Sequence, residues 1–446
     1  MKLKDIRQIA AERLGIDTLN PMQCAMAGAH DPVTMLIAPT GSGKTLAFTI
    51  AALMSLGEPC GHPQVVVIAP GRELVLQIYD VVRVMSRGYR TVAFYGGRSV
   101  TDEKNSLAGG VPDIIVSTPG RLVDHINRRR LESGVTLGAL VLDEFDKCLE
   151  LGFGDEMSRI MRFYGHPRRL MLTSATAMEE LPEYIPATRP QVLDFTGGCV
   201  SAPRRQMHIM RVISPARDKI DTLVELLRAT CRRGGRTMVF VNHRESAERV
   251  HGHLRKQGIA AGLYHGGLEQ DDRERAVELL NNGTTPVLVS TDLAARGLDI
   301  EGVDSVVHYH LPVNEATWIH RNGRTARQDA RGTVYVITTE GEAVPEYVEW
   351  DNDFYPDASK GAPDGLRSEM ATLYFAAGKR EKISRGDIVG FLLANVDSLT
   401  AGEIGRIALK DHYALVAVPR GRLGEILGYV SGRKIKNKKV RITPLK

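Results

Sequence analysis

Cysteine is scarce in this chain of 446 residues, and its thiols lie far apart. None forms a C-x-x-C pair, the spacing that zinc sites and redox dithiols commonly use. The five cysteines are Cys24, Cys60, Cys148, Cys199 and Cys231. The sequence therefore favours reduced, separate thiols over a disulfide framework or a zinc site.

Long apolar runs are also missing. No stretch approaches the ~20 apolar residues that a membrane-spanning helix needs. The amino-terminal stretch MKLKDIRQIAAERLG carries charges throughout, so it does not resemble a signal peptide. We expect a cytoplasmic protein that acts as a monomer and has no membrane partner.

A strong overall charge is absent as well, because the whole chain carries only +5. The charge is nevertheless uneven. Ala371–Lys446 contains 15 Lys/Arg and 6 Asp/Glu, a net charge of +9, so the preceding 370 residues carry −4. A basic terminal region on a near-neutral body indicates a polyanion as partner.

Short apolar runs alternate with helix-patterned segments through the first 340 residues. The runs are Thr34–Ala38, Val65–Ala69, Asp113–Val116, Ala139–Leu142, Arg169–Leu172, Arg236–Val241, Val287–Ser290, Asp304–His308 and Gly332–Thr338. Such alternation is typical of a parallel sheet covered by helices on both faces. Because Thr196–Arg205 separates the runs into two series, the sequence predicts two doubly wound α/β domains.

We predict domain boundaries from these patterns. The first α/β domain spans 1–200 and the second 206–340. An acidic, proline-bearing connector follows over 341–368. Residues 369–446 form a separate small α+β domain.

The strongest local motif is the octapeptide APTGSGKT, which stands between an apolar strand and a helix pattern. Small residues let consecutive backbone N–H groups curl around phosphate oxygens. Lys44 is expected to reach the β- and γ-phosphates of ATP, and Thr45 to ligate Mg²⁺. The ATP-binding residues predicted here are Ala38, Thr40, Gly41, Ser42, Gly43, Lys44 and Thr45.

Two further motifs complete the predicted catalytic set. In ALVLDEFD, Asp143 can hold Mg²⁺ and Glu144 can polarise the attacking water. In HRNGRTAR, Arg324 and Arg327 are spaced as one helical turn and can neutralise the transferring phosphoryl group. Lys44 is the fifth catalytic residue. Since these motifs fall in both α/β domains, we expect ATP to lie between the domains.

In this order along the chain, the motifs resemble those of the DEAD-box family of superfamily 2 helicases. The resemblance implies two tandem RecA-like domains and an ATP-dependent RNA helicase. It places Gln23 on adenine, where a side-chain amide can pair bidentately, and Asp299 near the ribose. It assigns Ser174 and Thr176 to the coupling of hydrolysis with unwinding. It also implies RNA contacts at Arg72, Gly97, Thr118 and Arg121, and at Arg296 near the interface that closes.

The last 76 residues resemble the RNA-recognition-like (RRM-like) domain of DbpA-type helicases. The resemblance implies a target in 23S ribosomal RNA and a role in large-subunit assembly, that is, in ribosome biogenesis. The basic run can engage several phosphates, and its predicted RNA contacts are Lys434, Lys436, Lys438 and Lys439. Few aromatic residues suited to base stacking occur here, which favours recognition of folded RNA shape.

Some positions depart from the family pattern. Phe145 stands where the family has alanine, Gly71 where threonine is usual, and Gly267 where aspartate is common. The aromatic residue upstream of Gln23 is absent, so Ile6 or Ile16 is expected in its place. Phe145 and Gly71 motivate an alternative, an ATP-gated RNA clamp or scaffold with weak unwinding. A DNA translocase is the second alternative.

Overall fold

In the computed structural model, the chain forms two compact units, over Met1–Arg204 and over Arg205–Arg296 with Ile300–Lys446. The structure describes residues 1–39, 41–96, 107, 109–132, 134–176, 180–186, 190–196, 207–231, 234–295, 300, 302–325, 332–357, 366 and 368–445. Five predicted site residues lie outside these ranges, namely Thr40, Gly97, Arg296, Asp299 and Arg327.

The first unit is built on one parallel sheet. Its strands are β1 (Val33–Ile37), β2 (Val65–Ile68), β3 (Thr91–Phe94), β4 (Ile114–Ser117), β5 (Ala139–Leu142), β6 (Leu170–Ser174) and β7 (Gln191–Asp194). Its helices are α1 (Leu3–Leu14), α2 (Pro21–Gly28), α3 (Lys44–Leu53), α4 (Arg72–Met85), α5 (Pro119–Asn127), α6 (Phe145–Glu150) and α7 (Gly154–Tyr164). The strand order is β3-β4-β2-β5-β6-β1-β7.

The central strands of this sheet are buried over their whole length, which explains why they read as unbroken apolar runs. Their side chains pack beneath helices on both faces and form two hydrophobic clusters. Strand β6 lies between β5 and β1. Because parallel strands end at the same edge, the loops that follow β1, β5 and β6 are brought together there.

The second unit contains a second parallel sheet of the same design. Its strands are β8 (Met207–Ser214), β9 (Thr237–Phe240), β10 (Ala261–Tyr264), β11 (Val287–Ser290), β12 (Ser305–His308), β13 (Gly332–Thr339) and β14 (Asn352–Asp353). Its helices are α8 (Ile220–Thr230), α9 (Arg244–Lys256), α10 (Gln270–Asn281) and α11 (Glu315–Asn322). The order β10-β11-β9-β12-β13-β8-β14 repeats that of the first sheet, strand for strand. The predicted α/β fold class is confirmed.

Part of the predicted connector belongs to this second sheet. Strand β14 pairs in parallel with β8. The Asp351 carboxylate accepts the Ile209 N–H at 2.8 Å. Arg211 donates two hydrogen bonds to Asp353, at 2.7 and 2.8 Å, and its guanidinium lies 4.5 Å from the centre of the Trp350 ring. The acidic residues of the connector thus fix an edge strand, while the predicted domain boundaries stay a prediction.

A small antiparallel sheet follows in the second unit. Its strands are β15 (Met370–Phe375), β16 (Ile407–Leu409), β17 (Ala414–Pro419) and β20 (Ile442–Pro444), in the order β16-β17-β15-β20. Helices α12 (Arg385–Asn395) and α13 (Leu423–Val430) pack on one face. Strands β18 (Lys434–Ile435) and β19 (Lys438–Lys439) form a separate hairpin. We call residues 370–445 the terminal module.

None of the helices that the structure describes is long and apolar enough to cross a membrane. The same residues contain no group of three or more His, Cys, Asp or Glu side chains placed to hold a metal ion.

Candidate functional site

The loop between β1 and α3 curls at two glycines. Gly41 and Gly43 have φ angles of 77° and 93°, in the left-handed region that favours glycine. A Cβ atom on Gly43 would lie 2.8 Å from the Gln23 side-chain nitrogen, so a larger residue would displace that side chain as well as strain the backbone. The Lys44 ammonium donates to the carbonyls of Ala38 and Pro39, at 2.5 and 3.1 Å. The lysine therefore already faces the loop, as a phosphate-binding lysine requires.

The capping box at the start of helix α2 is linked to this loop through Asn20. The Asn20 side chain accepts the Gln23 N–H at 2.9 Å, and the Gln23 carboxamide oxygen accepts the Asn20 N–H at 2.9 Å. Asn20 also donates to the Ser42 carbonyl at 3.1 Å. The Gln23 carboxamide is thus oriented by the Asn20 N–H, and its oxygen retains a second acceptor site. Asn20 was not singled out from the sequence, although N-P before a helix signals a cap.

The predicted acidic pair follows β5. Asp143 is 3% exposed, and it accepts a hydrogen bond from the Thr173 hydroxyl of β6. Burial raises the pKa of Asp143, while the Thr173 bond and the nearby Lys44 oppose that rise. The Thr173 hydroxyl in turn accepts the Glu144 N–H at 3.2 Å. Sequence reasoning missed Thr173, because only the pairing of β6 with β5 brings it beside the carboxylates.

Glu144 has a φ of 47°, in the left-handed region that costs a non-glycine residue about 1–3 kcal/mol. Such strain concentrates at functional sites. The conformation occurs where β5 turns into α6.

Asp146 connects the acidic motif to the predicted coupling residues. The Thr176 hydroxyl donates to Asp146 at 3.4 Å. The Ser174 hydroxyl donates to the Thr176 carbonyl at 2.6 Å and accepts the Thr176 N–H at 3.1 Å. Ser174 and Thr176 therefore form one turn, and that turn contacts Asp146 of α6. Coupling of hydrolysis with unwinding would need a contact of this kind. The side chain of Phe145 is fully buried in a core cluster of the first unit.

The predicted RNA-binding residues of the first unit lie after β2 and β4, which are neighbours in the sheet. Arg72 begins α4 directly after its cap Gly71, and Thr118 caps α5. Arg121 forms an ion pair with Asp124 at 2.8 Å. The three side chains thus start at the same edge of the sheet, with Arg121 already oriented by a carboxylate.

Ile6 does not replace the missing aromatic residue. It is fully buried in the core cluster of the first unit, where α1 packs against α3 and α4. The expectation that Ile6 contacts adenine is therefore wrong, whereas Ile16 is only partly buried.

In the second unit, Arg321 of the HRNGRTAR motif is an internal residue. Its side chain is fully buried and donates to Asp292 at 2.5 Å, to the His310 carbonyl at 2.8 Å and to the Asn242 side chain at 2.8 Å. The guanidinium also lies 5.3 Å from the centre of the Phe240 ring. Arg321 therefore joins helix α11 to the segments that follow β9, β11 and β12, a role that sequence reasoning did not assign to it.

Of the two arginines predicted to share a helical face, only Arg324 lies within the described residues. Helix α11 ends at Asn322 with Gly323 as its cap. Arg324 lies beyond the helix, is 1% exposed, and accepts the Val303 N–H on its carbonyl at 3.1 Å. The common projection of Arg324 and Arg327 therefore stays a prediction.

The hairpin β18–β19 carries basic side chains on both of its strands. Lys434 pairs across the hairpin with Lys439, and both are exposed. The Lys436 ammonium binds Asp387 at 2.8 Å, and that of Lys438 donates to the Glu381 carbonyl at 2.7 Å. The predicted RNA contacts thus lie beside the loop that precedes α12. We call residues 433–441 the basic hairpin.

Three family descriptions match the chain: "DEAD/DEAH box helicase" over residues 21–184, "Helicase conserved C-terminal domain" over 218–329, and "DbpA RNA binding domain" over 372–444. The chain is 31% identical to the ATP-dependent RNA helicase DbpA of Escherichia coli, over 97% of this chain and 96% of that protein. It is 27% identical to the protein of the same name in Bacillus subtilis, over 90% and 89%.

Among solved structures, the chain is similar to S. cerevisiae Dbp5 bound to RNA and ADP BeF3, with a TM-score of 0.65 and 27% identity over 75% of this chain and 87% of that one. Because the matched relatives are RNA helicases, the alternative of a DNA translocase is set aside.

Proposed function

The chain belongs to the DEAD-box family of ATP-dependent RNA helicases, in its DbpA-type branch, and on that premise we propose that it remodels 23S ribosomal RNA during assembly of the large ribosomal subunit. One observation carries the proposal. The terminal module matches the DbpA RNA-binding domain and holds a net charge of +9 from Ala371 onward. A basic module of that type selects the target RNA, and the helicase domains use ATP to change the structure of that RNA.

We assign the ATP chemistry to the residues at the edge of the first sheet. Lys44 neutralises the β- and γ-phosphates, and Glu144 orients the attacking water. Gln23 and the loop from Ala38 to Thr45 hold the nucleotide, with Asp299 at the ribose. Arg324 and Arg327 stabilise the charge on the transferring phosphoryl group.

Magnesium fits the chemistry of this site. Asp143 is a buried carboxylate whose pKa burial raises, so a cation nearby would favour its charged form. Mg²⁺ would supply positive charge that offsets the negative charge of the phosphates. Thr45 and Asp143 are the residues that would hold it, and Thr173 orients Asp143 toward that role.

A second candidate function, an ATP-gated RNA clamp with weak unwinding, is favoured by Gly71. This residue caps α4 without a side chain, so no hydroxyl is available to a phosphate at that position. A Cβ atom on Gly71 would have no neighbour closer than 3.8 Å, so the first side-chain atom of a threonine has room there. Gly71→Thr should raise strand displacement per ATP hydrolysed if the missing hydroxyl limits unwinding.

Stimulation of ATP hydrolysis tests the proposed target. Large-subunit ribosomal RNA fragments should half-saturate the enzyme at an RNA concentration at least ten times lower than small-subunit fragments of equal length. If both kinds of fragment half-saturate the enzyme at the same RNA concentration, the proposed preference for large-subunit ribosomal RNA is wrong. The helicase activity would not be contradicted by that result. That the protein acts in the cytoplasm and as a monomer also stays a prediction. Sedimentation of the enzyme with and without RNA tests the monomer.

A further inference from the structure

The two parallel sheets have the same strand order, so each strand of the first sheet has an equivalent in the second. Strand β8 takes the position of β1, β12 that of β5, and β13 that of β6. In the first sheet these strands are followed by the glycine-rich loop, the acidic pair and the turn of Ser174 and Thr176. Ligands of open α/β sheets bind outside the carboxyl ends of the strands. The loops after β8, β12 and β13 are therefore the positions at which the second unit could hold a ligand.

These three loops surround a polar cavity of about 620 Å³ within the second unit. The loop after β8, residues 214–219, contains no glycine and no residue with a positive φ angle, unlike the loop after β1. An anion in the cavity would therefore be bound by side chains and not by a curled run of backbone N–H groups. The charged side chains that line the cavity are three cations and three carboxylates, namely Arg217, Lys219, Arg249, Asp218, Glu340 and Glu342.

Lys219 has nearly the same place in the second unit as Lys44 has in the first. Lys44 is the first residue of α3, and Lys219 immediately precedes α8. The Lys219 side chain is 8% exposed, and its ammonium donates to the Ile337 carbonyl at 2.8 Å. It also binds both carboxylate oxygens of Glu342, at 2.9 and 2.7 Å. A carboxylate of the chain itself therefore neutralises this buried cation, which would otherwise be costly to bury.

Glu342 is held in place by more than Lys219. The Thr339 N–H donates to the Glu342 carboxylate at 2.8 Å, and the Thr339 hydroxyl donates to it at 3.3 Å. Burial opposes the charge of this carboxyl, but the bonds from Lys219 and Thr339 lower its pKa below the ordinary value. An ammonium, a backbone N–H and a hydroxyl are also the donors that bind phosphate oxygens. Glu342 thus occupies a set of donors that suits a phosphate.

The cation of α9 is neutralised from within the unit as well. Arg249 donates to both carboxylate oxygens of Asp218, at 2.8 and 2.9 Å, and to the Tyr309 hydroxyl at 3.0 Å. Arg217 lines the same cavity and is exposed. If the Glu342 carboxylate were removed, Lys219 and Arg217 would be the two cations available to another anion.

We propose that this cavity is a second anion site, that its anion is the carboxylate of Glu342, and that removal of this carboxylate opens the site to a phosphate-bearing ligand. The second unit thus supplies from its own chain the negative charge that the first unit takes from ATP. That comparison rests on the proposed function, whereas the binding of Lys219 by Glu342 does not depend on it.

The test measures thermal unfolding of the second unit in the full chain, without ATP or RNA, by the fluorescence of Trp318 and Trp350. Glu342→Gln should unfold at a lower temperature than the parent in chloride buffer, because Lys219 loses its partner charge. Inorganic phosphate replaces chloride at equal ionic strength. At about a hundred times its dissociation constant, phosphate should raise the unfolding temperature of Glu342→Gln by roughly 5–10 °C beyond the shift of the parent.

Two further variants separate a specific site from a general effect of phosphate. Glu340→Gln removes an exposed carboxylate that lines the same cavity, and it should respond to phosphate as the parent does. Lys219→Met combined with Glu342→Gln leaves an uncharged pair and should lose the additional response. If Glu342→Gln is unfolded in chloride, folding on addition of phosphate is the corresponding expected result.

The proposal is wrong if phosphate stabilises Glu342→Gln no more than Glu340→Gln, or if the variant without Lys219 responds equally. Because these measurements use neither ATP nor RNA, such a result would not affect the proposed function. Conversely, an enzyme without preference for ribosomal RNA would leave the anion site unaffected.

Discussion

The hydroxyl of Thr173 is the smallest group on which the candidate ATP site depends. It donates to the Asp143 carboxylate and accepts the backbone N–H of Glu144, so one oxygen holds one carboxylate and the backbone that carries the other. Groups that orient a metal-binding carboxylate commonly change activity 10–100-fold when removed. Its importance follows from strand pairing and not from any local motif.

Thr173→Val should therefore lower ATP turnover by roughly 10–100-fold and leave the fold intact, because valine keeps the shape and loses the hydroxyl. Thr34→Val is the matched control. Thr34 lies on the adjacent strand β1, is fully buried, and its hydroxyl has no hydrogen-bond partner among the described residues. Steady-state ATPase assays compare the two. Equal turnover in both variants would show that Thr173 only fills space.

Glu144→Gln should bind ATP and RNA as the parent does and lower turnover by roughly 10²–10⁴-fold, the usual contribution of a positioned base. The amide keeps the size of the side chain and orients water poorly. Glu150→Gln, at the other end of α6, changes the same residue type in an exposed ion pair with Lys147 and should retain full activity. Normal hydrolysis by Glu144→Gln would remove this carboxylate from the proposed chemistry.

At the scale of elements, the sequence predicted the buried strands best. The bounds of Ala139–Leu142 and Val287–Ser290 agree with the structure, because continuous burial leaves a continuous apolar run. Strands Gln191–Asp194 and Asn352–Asp353 were not predicted. The first is only partly buried and the second is exposed and polar, so pairing partners and not composition define them.

The same reasoning explains which site residues could be predicted. Lys44 and Asp143 follow buried strands in a fixed motif, so their positions can be read along the chain. Thr173, Asn20 and Arg321 act through contacts between separate elements. A one-dimensional pattern does not contain those contacts.

Helix α6 gives the next prediction, because its first residue is both buried and adjacent to the coupling turn. Phe145→Ala should destabilise the first unit by about 3–5 kcal/mol, the cost of emptying a core site of this size. It should also change the ratio of unwinding to hydrolysis, since Asp146 on the same helix contacts Thr176. Thermal unfolding and a coupled displacement assay measure the two effects.

Phe145→Leu is the control for packing, because it keeps most of the buried volume. Both variants are compared below the unfolding temperature of the weaker one. If the ratio of unwinding to hydrolysis is the same in the parent and in Phe145→Ala, the ring packs the core and does not affect coupling.

Strand β12 makes the second unit sensitive to acid. Burial, and then Arg321, lower the pKa of His308 to about 3, and its ring nitrogen lies 2.8 Å from the Asn322 side-chain oxygen. The unfolded chain therefore takes up this proton first as the pH falls. The neutral His308 ring therefore contributes fully to the free energy of unfolding above pH ~6.5. This contribution is lost as the pH falls toward 3.

Between pH 6.5 and pH 5, His308 should cost the second unit about 2 kcal/mol of unfolding free energy. Urea unfolding followed by tryptophan fluorescence reports on this unit, because Trp318 and Trp350, the two tryptophans of the chain, both lie in it. His308→Gln should flatten the dependence on pH, and His208→Gln at an exposed position should not. A parent-like slope in His308→Gln would assign the acid sensitivity to other groups.

At the scale of the whole molecule, two sheets of identical strand order have diverged in the chemistry at their edges. The first carries the glycine-rich loop and the acidic pair, whereas the second carries the internal arginine network around Arg321. The net positive charge lies instead at the carboxy-terminal end, where Ala371–Lys446 carries +9 and the preceding 370 residues carry −4. Catalysis and RNA affinity can therefore be separated by truncation.

Removal of everything after Ser368 should leave an ATPase that long RNA stimulates weakly, because the predicted ATP-binding residues all lie upstream. The salt dependence of RNA binding should become shallower by roughly 0.7–0.9 for each phosphate that the shortened enzyme no longer binds. Preference for 23S ribosomal RNA over an unrelated RNA of equal length should disappear.

The truncation also uncovers Thr284 and Glu278, so the second unit should unfold at a lower temperature than in the full chain. The full chain with Lys434→Ala and Lys439→Ala is the matched control, since it weakens RNA binding and keeps the contacts of Thr284 with Thr372 and of Glu278 with Lys410. If the truncated enzyme still selects ribosomal RNA, the address lies in the helicase domains and the terminal module serves to stabilise them.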